Sequence, residues 1–258
     1  MKSLIEGVGR FVVNVLEEAG RTGILLLKSI ATLRRPPYYL HAWFEQMLEV
    51  GVRSLPIIVV TAIFSGAVFA LQTWEGFEQY GTTSFVGPVV ALAITREMVP
   101  VLASLMVSGR AGSGMAAEIG TMVVTEQVDA LRTMAVDPVE YLVVPRIVAT
   151  AIMLPVTVLI GDMLGLWGGS LVVVNLYGSG PVTYWEGIWG ILTYADLNTG
   201  LIKAAVFGLL IALFGCQNGF NTSGGAQGVG RATTRAVVIC SISIFIADFF
   251  LTKVIMML

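Results

Sequence analysis

Residues 55–71 read LPIIVVTAIFSGAVFAL and contain no charged side chain. The uncharged stretch is longer still, because Arg53 and Glu75 bracket 21 residues without a charge. A second stretch, of 27 uncharged residues, lies between Lys203 and Arg231. A helix of about 20 apolar residues crosses the hydrocarbon layer of a membrane. Runs of this length therefore predict membrane-spanning helices.

The composition supports the same fold class. Hydrophobic residues make up 56% of the 258-residue chain and charged residues 12%, whereas a soluble domain carries about 25% charged residues. A transmembrane barrel would show segments of about ten residues with alternating hydrophobicity, and the sequence has no such pattern. The sequence predicts an all-α integral membrane protein.

The residue inventory disfavours several function classes. The net charge of −2 gives no basic footprint for nucleic acid. The single histidine, His41, forms no familiar metal-ligand pattern with Cys216 and Cys240, which are expected to be small packing residues. No Ser/His/Asp or Cys/His set can be assembled around one histidine. We therefore expect no catalytic residue, no metal site and no cofactor bound by this chain.

Residues 1–50 are predicted to form an N-terminal interfacial region. Up to about residue 30, apolar residues recur at helical spacing on one face and polar residues occupy the other, which predicts an amphipathic helix on a membrane surface. The apolar positions are Leu4, Val8, Phe11, Val12, Val15 and Ala19, and the polar positions are Glu6, Arg10, Asn14, Glu17, Glu18 and Arg21. In the following LRRPPYYLHAWF, two prolines end the helix, and the aromatic residues suit the headgroup layer.

Residues 51–258 are predicted to form a transmembrane domain with five spans. The apolar runs place them near 54–73, 86–109, 142–176, 200–218 and 236–257. As one helix, the third run would measure about 52 Å, against about 30 Å of hydrocarbon. Pro155 and the GLWGGS run at 165–170 therefore favour a kink, a break or a re-entrant segment, with Asp162 near water.

Lysine and arginine are distributed unevenly among the connections. The connections 74–85 and 177–199 have none, whereas 110–146 has three and 219–235 has two. Seven more precede the first span: Lys2, Arg10, Arg21, Lys28, Arg34, Arg35 and Arg53. Because cytoplasmic loops carry the excess of positive residues, the N-terminus and both positive connections are predicted to be cytoplasmic. The C-terminus is then predicted to face the opposite side.

A short charged helix is predicted near residues 124–135, in the sequence TEQVDALRTM. Thr125 is the predicted N-cap, and Val128, Leu131 and Met134 fall on one side of the helix. A connector that contacts nothing is usually short and turn-like, so an ordered amphipathic helix favours docking into a partner's groove. The chain has no Walker A sequence. An ATPase that drives this protein must therefore be a separate subunit.

Two stretches resemble the hallmark regions of the MlaE/YrbE family, the permease subunits of ABC transporters that move phospholipids between membranes. The first is TREMVPVLASLMVSGRAGSGMAAEIGTMVVTEQVDALRTMAVDPVEYLVVPR, residues 95–146. The second is NTSGGAQGVGRATTRAVV, residues 221–238. Thr95 and Val99 stand where the family has glycine. The resemblance covers the chain from about residue 40 to its end.

The resemblance implies a function and a set of partners. It implies a permease subunit, not itself an enzyme, of an ATP-driven transporter that moves phospholipids between inner and outer membranes and supports outer-membrane lipid asymmetry. The implied location is the inner membrane, with a cytoplasmic N-terminus and a periplasmic C-terminus. The implied partners are a second copy of the chain, ABC ATPase subunits that bind ATP and Mg, a STAS-domain protein on the ATPase, and a hexameric MCE-domain protein in the periplasm.

The resemblance also assigns a role to the charged helix. In that family the matching helix is the cytoplasmic coupling helix between the second and third spans, which docks on the partner ATPase. The implied coupling residues are Glu126, Gln127, Asp129, Ala130, Leu131, Arg132 and Met134.

Several ionisable residues fall inside the predicted spans, among them Arg96, Glu97, Lys203 and Asp248. Ionisable residues are costly inside a membrane unless they face partners or water. At about 1.5 Å per helical residue, Glu97, Lys203 and Asp248 each lie about 20 Å from the cytoplasmic edge. We therefore predict one layer of charge in the outer half of the membrane, with Lys203 paired to Asp248, and Arg96 paired to Glu97 or its neighbours.

Two interpretations of this layer stay open. The charges either hold helices in register as buried pairs or line a cavity for a zwitterionic or anionic lipid headgroup. Phe69, Leu71 and Tyr80, near the outer end of the first span, are candidate walls for the acyl chains, although they also fit an interfacial aromatic belt. Trp74 is predicted to belong to this interfacial aromatic belt.

The intramembrane charges also fit a second function class. A secondary transporter would use Glu97, Lys203 and Asp248 to carry ions or protons and would need no ATPase. A membrane scaffold or a membrane-embedded enzyme is a third class. The predicted coupling helix and the hallmark stretches favour the ATP-driven transporter.

Overall fold

A computed structural model describes residues 2–33 and 40–257, with backbone alone for residues 2–12, 14 and 15. In these residues every regular element is helical. Five helices are long and apolar enough to cross a membrane: Leu40–Glu78, Thr83–Val124, Val139–Asn175, Tyr194–Phe220 and Gly225–Ile255. The predicted all-α membrane fold with five spans is confirmed. Arg34 and Arg35 of the positive-charge count lie outside the described residues.

Eleven α-helices are assigned within this part of the chain. They are α1 (Lys2–Leu33), α2 (Leu40–Val50), α3 (Leu55–Glu78), α4 (Val86–Ala93), α5 (Val99–Val107), α6 (Ser113–Val124), α7 (Gln127–Thr133), α8 (Val144–Asn175), α9 (Pro181–Ile191), α10 (Tyr194–Phe220) and α11 (Gly225–Ile255). Short 3₁₀ turns precede α3 and α4.

Three π-helical segments interrupt these helices. Ile94–Met98 joins α4 to α5, Ser108–Gly112 joins α5 to α6, and Val139–Val143 leads into α8. The first two make α4, α5 and α6 one continuous rod, so the helix runs well past the predicted end of the second span at 109. The helices are thus longer than the predicted spans, whose membrane boundaries stay predictions.

Helix α8 is continuous through the region where a kink or break was expected. Pro155 lies inside it, and so does the glycine run at 165–170. The glycines are contact points with α3: a Cβ on Gly66 would overlap the Gly165 carbonyl, and one on Gly168 would overlap the Ile63 carbonyl. Small residues that let two backbones approach closely are the usual packing device of membrane helices. This packing keeps α8 a continuous helix. The loss of one backbone hydrogen bond at Pro155 is tolerated.

The core surrounds α8. This helix packs on α3, α10 and α5, and its Leu154 and Val158 lie in the main cluster with Phe207 and Ile211 of α10. Asp162, which was expected near water, is buried instead, with 2% of its surface exposed. It faces the protein interior because α8 is not broken there.

Trp74 also departs from its predicted place. It is buried and stacks on Tyr177, with ring centroids 4.8 Å apart. The indole of Trp74 therefore packs against the segment that follows α8 and does not form part of an exposed belt.

Helix α1 lies against the end of the bundle that carries α7. Its polar side faces the protein, with contacts from Glu18 to Arg235, from Thr22 to Gln217 and from Lys28 to Asp137. Its exposed apolar side chains point away: Val13, Leu16, Ile24, Leu27 and Ile30. This is the arrangement of a helix whose apolar face meets lipid. Its position on a membrane surface stays a prediction.

The α3–α8 contact yields a test of the packing. Gly66→Ala should lower the melting temperature of the detergent-purified protein, because an added methyl group overlaps the α8 backbone and overpacking costs about 1–3 kcal/mol. Gly76→Ala in the same helix is the matched control, because nothing lies within 4 Å of its Cβ position. Equal melting temperatures for the two variants would contradict the close approach of α3 and α8.

Candidate functional site

Lys203 of α10 forms the centre of a charge cluster. Its side chain is fully buried, with 0% exposed. The amine donates to Glu97 Oε2 at 2.5 Å and to the Arg96 carbonyl at 3.2 Å, and it lies 3.0 Å from Asp248 Oδ1. These partners come from the first π segment and from α11. The predicted Lys203–Asp248 pair is confirmed, and the structure adds Glu97 to it.

The cluster combines a buried cation with partly open carboxylates. The side chain of Glu97 is 41% exposed and that of Asp248 is 21% exposed. A buried amine needs compensating negative charge, since removing a charge from water costs several kcal/mol. Two carboxylates supply it here, and their outer faces stay accessible. The equal depths estimated from the sequence for Glu97, Lys203 and Asp248 are explained, because Lys203 contacts both carboxylates.

Arg96 does not pair with Glu97. Its guanidinium contacts Asp196 of α10 instead, with Nε donating to Asp196 Oδ1 at 2.6 Å. The correction follows from helical geometry, because the side chains of adjacent residues in a helix point to different neighbours. Asp196 was missed by the sequence analysis because it lies before the predicted start of the fourth span at 200. Its signal is the Thr193–Asp196 spacing of a capping box, which is formed in the structure.

A pocket of about 230 Å³ opens beside the cluster. Its lining includes Arg96, Glu97, Asp196, Thr199, Thr252 and Met256. Chemically, the pocket offers a guanidinium, two carboxylates and two hydroxyl groups, which suits binding of a charged group. It contains no histidine or cysteine to act as a nucleophile or base.

The predicted apolar walls are not part of this pocket. Phe69 packs against the main core, and Leu71 is half-buried on α3. Tyr80 lies beyond the end of α3 with 80% of its surface exposed. The structure of this single chain thus brings Arg96 and Glu97 into the pocket and leaves these three residues elsewhere.

The predicted coupling helix is shorter than expected. Helix α7 has seven residues, about two turns, and its N-cap is Glu126 with φ of 61°, not Thr125. Thr125 ends α6, and its hydroxyl donates to the Thr121 carbonyl. The chain turns sharply at Glu126, which is why α7 leaves the direction of the preceding rod.

Most of the predicted coupling residues are exposed. The accessible ones are Glu126, Gln127, Asp129, Ala130, Arg132 and Met134, whereas Leu131 is half-buried. Val128, 4% exposed, attaches α7 to the protein. Met134 is 73% exposed and lies next to charged residues, since Asp129 and Arg132 form a surface ion pair of 2.8 Å. The helix therefore presents a mixed apolar and charged surface.

Helix α1 contacts the same region. Lys28 pairs with Asp137 at 2.9 Å, and the Asp137 carboxylate also accepts a hydrogen bond from the Val139 N–H at 3.0 Å. These residues line a groove of about 390 Å³ between α1, α7 and the end of α10 at Phe220. The loop after α7 is thus tied both to α1 and to the start of the third spanning helix.

The two regions lie at opposite ends of α10. Thr199 lines the charged pocket and Phe220 lines the groove beside α7, and 21 helical residues separate them by about 32 Å. The sequence profile of the family described as Permease MlaE matches residues 43–254, which include α7 and the whole of α10. The chain belongs to the MlaE permease family. It is accordingly a permease subunit of the ABC-transporter class, and α1 lies outside the matched range.

Curated relatives agree with this family membership. A "Probable ABC transporter permease protein" of Rickettsia bellii is 43% identical over 251 residues, 97% of each chain. The "Intermembrane phospholipid transport system permease protein MlaE" of Haemophilus influenzae is 33% identical over 253 residues, 98% of this chain and 97% of the relative. The chloroplastic protein TRIGALACTOSYLDIACYLGLYCEROL 1 of Arabidopsis thaliana is 39% identical over 209 residues, 81% of this chain and 60% of the relative.

The charge cluster makes a prediction about stability. Lys203→Met should lower the melting temperature, because the two neighbouring carboxylates lose the cation between them. Their partial exposure keeps the cost below that of a fully buried broken pair, about 3–5 kcal/mol. The triple variant Lys203→Met, Glu97→Gln, Asp248→Asn should recover most of this loss, since no buried charge is left uncompensated. Lys28→Met is the control, because its partly exposed pair is expected to contribute less than about 1 kcal/mol. A Lys203→Met protein as stable as Lys28→Met would contradict the cluster.

Proposed function

We propose that this chain is the membrane subunit of an ATP-driven transporter that moves phospholipids between inner and outer membranes and so supports outer-membrane lipid asymmetry. In this proposal the chain lies in the inner membrane and pairs with a second copy. The end that carries α1 and α7 is cytoplasmic, and the C-terminus is periplasmic. The name of the Haemophilus relative, which describes phospholipid transport, supports the choice of phospholipid as the substrate.

The observation that carries the ATP-driven mechanism is the exposure of α7. A two-turn helix with five accessible residues, attached through Val128, has the surface expected of a docking element. Its position between the second and third spans connects any displacement of α7 directly to α6 and α8. An ABC ATPase that binds ATP and Mg on a separate subunit would move this helix when its nucleotide site closes.

The other partners follow from the family resemblance. We propose a STAS-domain protein bound to the ATPase and a hexameric MCE-domain protein on the periplasmic side, which receives or delivers the lipid. The charged pocket lies at the end of α10 distant from α7, and in the proposed orientation it opens toward the MCE-domain protein. That placement supports a role in handling the lipid headgroup.

Transport by the reconstituted complex tests this function. The chain and its ATPase are placed in phospholipid vesicles, and transfer of a fluorescent phospholipid to an acceptor is followed with ATP and with a non-hydrolysable analogue. Transfer that requires ATP hydrolysis supports the proposal. Flux that is driven by an ion gradient, without any ATPase, would overturn it in favour of the secondary transporter that the buried charges also fit.

Docking through α7 predicts the effect of one substitution. Met134→Arg should reduce co-purification of the ATPase at least tenfold, because an exposed apolar anchor at a docking surface typically contributes more than 1 kcal/mol. Met257→Arg is the matched control, since Met257 is also 73% exposed and lies at the other end of the bundle. Normal ATPase binding by Met134→Arg would count against α7 as the docking helix.

A further inference from the structure

A second cavity, of about 390 Å³, lies between the end of α10 and the start of α11. It is at the end of the bundle that carries α1 and α7, opposite the charged pocket. Its polar lining residues are Asn218, Asn221, Thr222, Ser223, Arg231 and Arg235. Among the residues that the structure describes, no carboxylate lines it. Guanidinium, amide and hydroxyl groups together form a donor set that suits an anion.

Arg231 is unusual among the arginines of this chain. Every other arginine whose side chain the structure describes forms a salt bridge, namely Arg21, Arg53, Arg96, Arg110, Arg132, Arg146 and Arg235. Within the described residues, Arg231 forms neither an ion pair nor a hydrogen bond, and its side chain is exposed. Its guanidinium is therefore available to a ligand in the cavity.

The surroundings of Arg231 add further positive charge. Its Nη2 atom lies 3.3 Å from the place that a Cβ on Gly224 would take, and Gly224 is the N-cap of α11. The guanidinium thus turns back toward the helix end at which the macrodipole is positive. Arg235 follows at i+4, a spacing at which like charges destabilise a helix. Glu18 compensates only Arg235, with both carboxylate oxygens 3.0 Å from Nη2. A bound anion would compensate Arg231.

The wall of the cavity carries an unused hydrogen-bond donor. Asn218 is only 4% exposed and lines the cavity. Its Nδ2 donates to the Phe214 carbonyl at 2.8 Å, and an amide nitrogen carries two N–H groups. The second N–H has no partner among the described residues, so an acceptor in the cavity can use it. A buried donor and a free guanidinium thus belong to the same cavity.

The depth of the arginines indicates where the anion comes from. The last predicted span begins near residue 236, so at about 1.5 Å per helical residue Arg235 lies about 2 Å and Arg231 about 8 Å outside it. The headgroup layer occupies about 5–8 Å on each side of the hydrocarbon. Both residues follow the α10–α11 turn in the direction of the membrane, away from the aqueous side on which an ATPase binds. This depth favours a lipid phosphate over an acidic side chain of a soluble partner.

We propose that this cavity binds the phosphate of an anionic phospholipid in the cytoplasmic leaflet. Arg231 is the main ligand, because a guanidinium binds phosphate through paired hydrogen bonds. Basic pockets between spanning helices on the cytoplasmic side bind anionic headgroups in this way. The bound lipid stays at this end of the protein and is distinct from the transported substrate. The inference rests on the proposed cytoplasmic orientation of this end and is independent of transport.

Competition between two lipids tests the site. The full chain is purified in a neutral detergent, stripped of lipid and mixed with equal amounts of phosphatidylglycerol and phosphatidylcholine with identical acyl chains. Bound lipid is counted by native mass spectrometry. The wild-type chain should bind phosphatidylglycerol in preference, and Arg231→Gln should lower that binding about tenfold, the usual effect of losing a charged hydrogen bond.

Arg53→Gln is the matched control. It removes an exposed positive charge at the same end of the bundle, but this charge is already compensated by Glu49. Phosphatidylglycerol binding should therefore stay at the wild-type level. An equal loss in Arg53→Gln and Arg231→Gln would show attraction to positive charge in general and would overturn the site.

Melting temperatures separate binding from folding. Without lipid, Arg231→Gln should melt at or above the wild-type temperature, because the substitution removes a like charge next to Arg235. Added phosphatidylglycerol should raise the melting temperature of the wild type by more than that of the variant. An equal rise in both proteins would contradict a ligand role for Arg231.

Two further results would assign the cavity to another anion. If millimolar inorganic phosphate raises the melting temperature as much as phosphatidylglycerol does, and Arg231→Gln abolishes this rise, the site belongs to a soluble phosphate. If Arg231→Gln loses the ATPase during purification and keeps its phosphatidylglycerol, an acidic group of the ATPase occupies the cavity. Both results overturn the lipid site and leave the proposed function intact. Failure of the wild-type complex to transfer phospholipid would overturn the function without affecting this site.

Discussion

The amine of Lys203 is the group on which the rest of the structure depends. It lies fully buried in a spanning helix of a chain with few charges, and it is compensated by Glu97 and Asp248 from two other elements. Because an unpaired buried charge is so unfavourable, the three elements can meet only in a register that joins these groups. The same register brings Arg96 and Asp196 together and opens the pocket beside them. The Lys203 contacts that stabilise the protein thus also form a site that can bind a charged group.

Tight backbone packing transmits this register along the molecule. Helix α8 contacts α3 through glycines, and α10 contacts the first π segment through Gly200, where a Cβ would overlap the Thr95 carbonyl. Helix α10 then runs without interruption from the charged pocket to the groove beside α7. Helix α7 contacts α6, and both α6 and α8 pack on α10, so a displacement of α7 has a packed route to the pocket. This continuity gives a physical route of about 32 Å between the proposed ATPase-docking surface and the charged pocket.

The sequence predicted those features that follow from hydrophobic length and from the cost of charge. The length of the apolar runs predicts the five spans, and the equal estimated depth of Lys203 and Asp248 in the membrane predicts that they pair. It did not predict features that depend on local backbone register. The pairing of Arg96 with Asp196 depends on how the first π segment meets the start of α10, which an apolar pattern does not show. The expected break in α8 does not occur, because the glycines that suggest it in the sequence are contact surfaces in this packing. The predicted coupling residues lie in or beside the exposed helix α7, whose two-turn length depends on the left-handed turn at Glu126.

The most direct test of the central claim, that the Lys203 cluster handles the lipid headgroup, is photo-crosslinking from inside the pocket. A benzoylphenylalanine at position 199, in place of Thr199, is irradiated in the complex with its ATPase in phospholipid vesicles, with and without ATP. The same probe at Phe249, which is 65% exposed on α11, reports ordinary contact with the bilayer. The account predicts a phospholipid adduct at position 199 whose yield changes with ATP, and an adduct at position 249 that does not change. An adduct at position 249 alone, or a yield at position 199 that is indifferent to ATP, would contradict it.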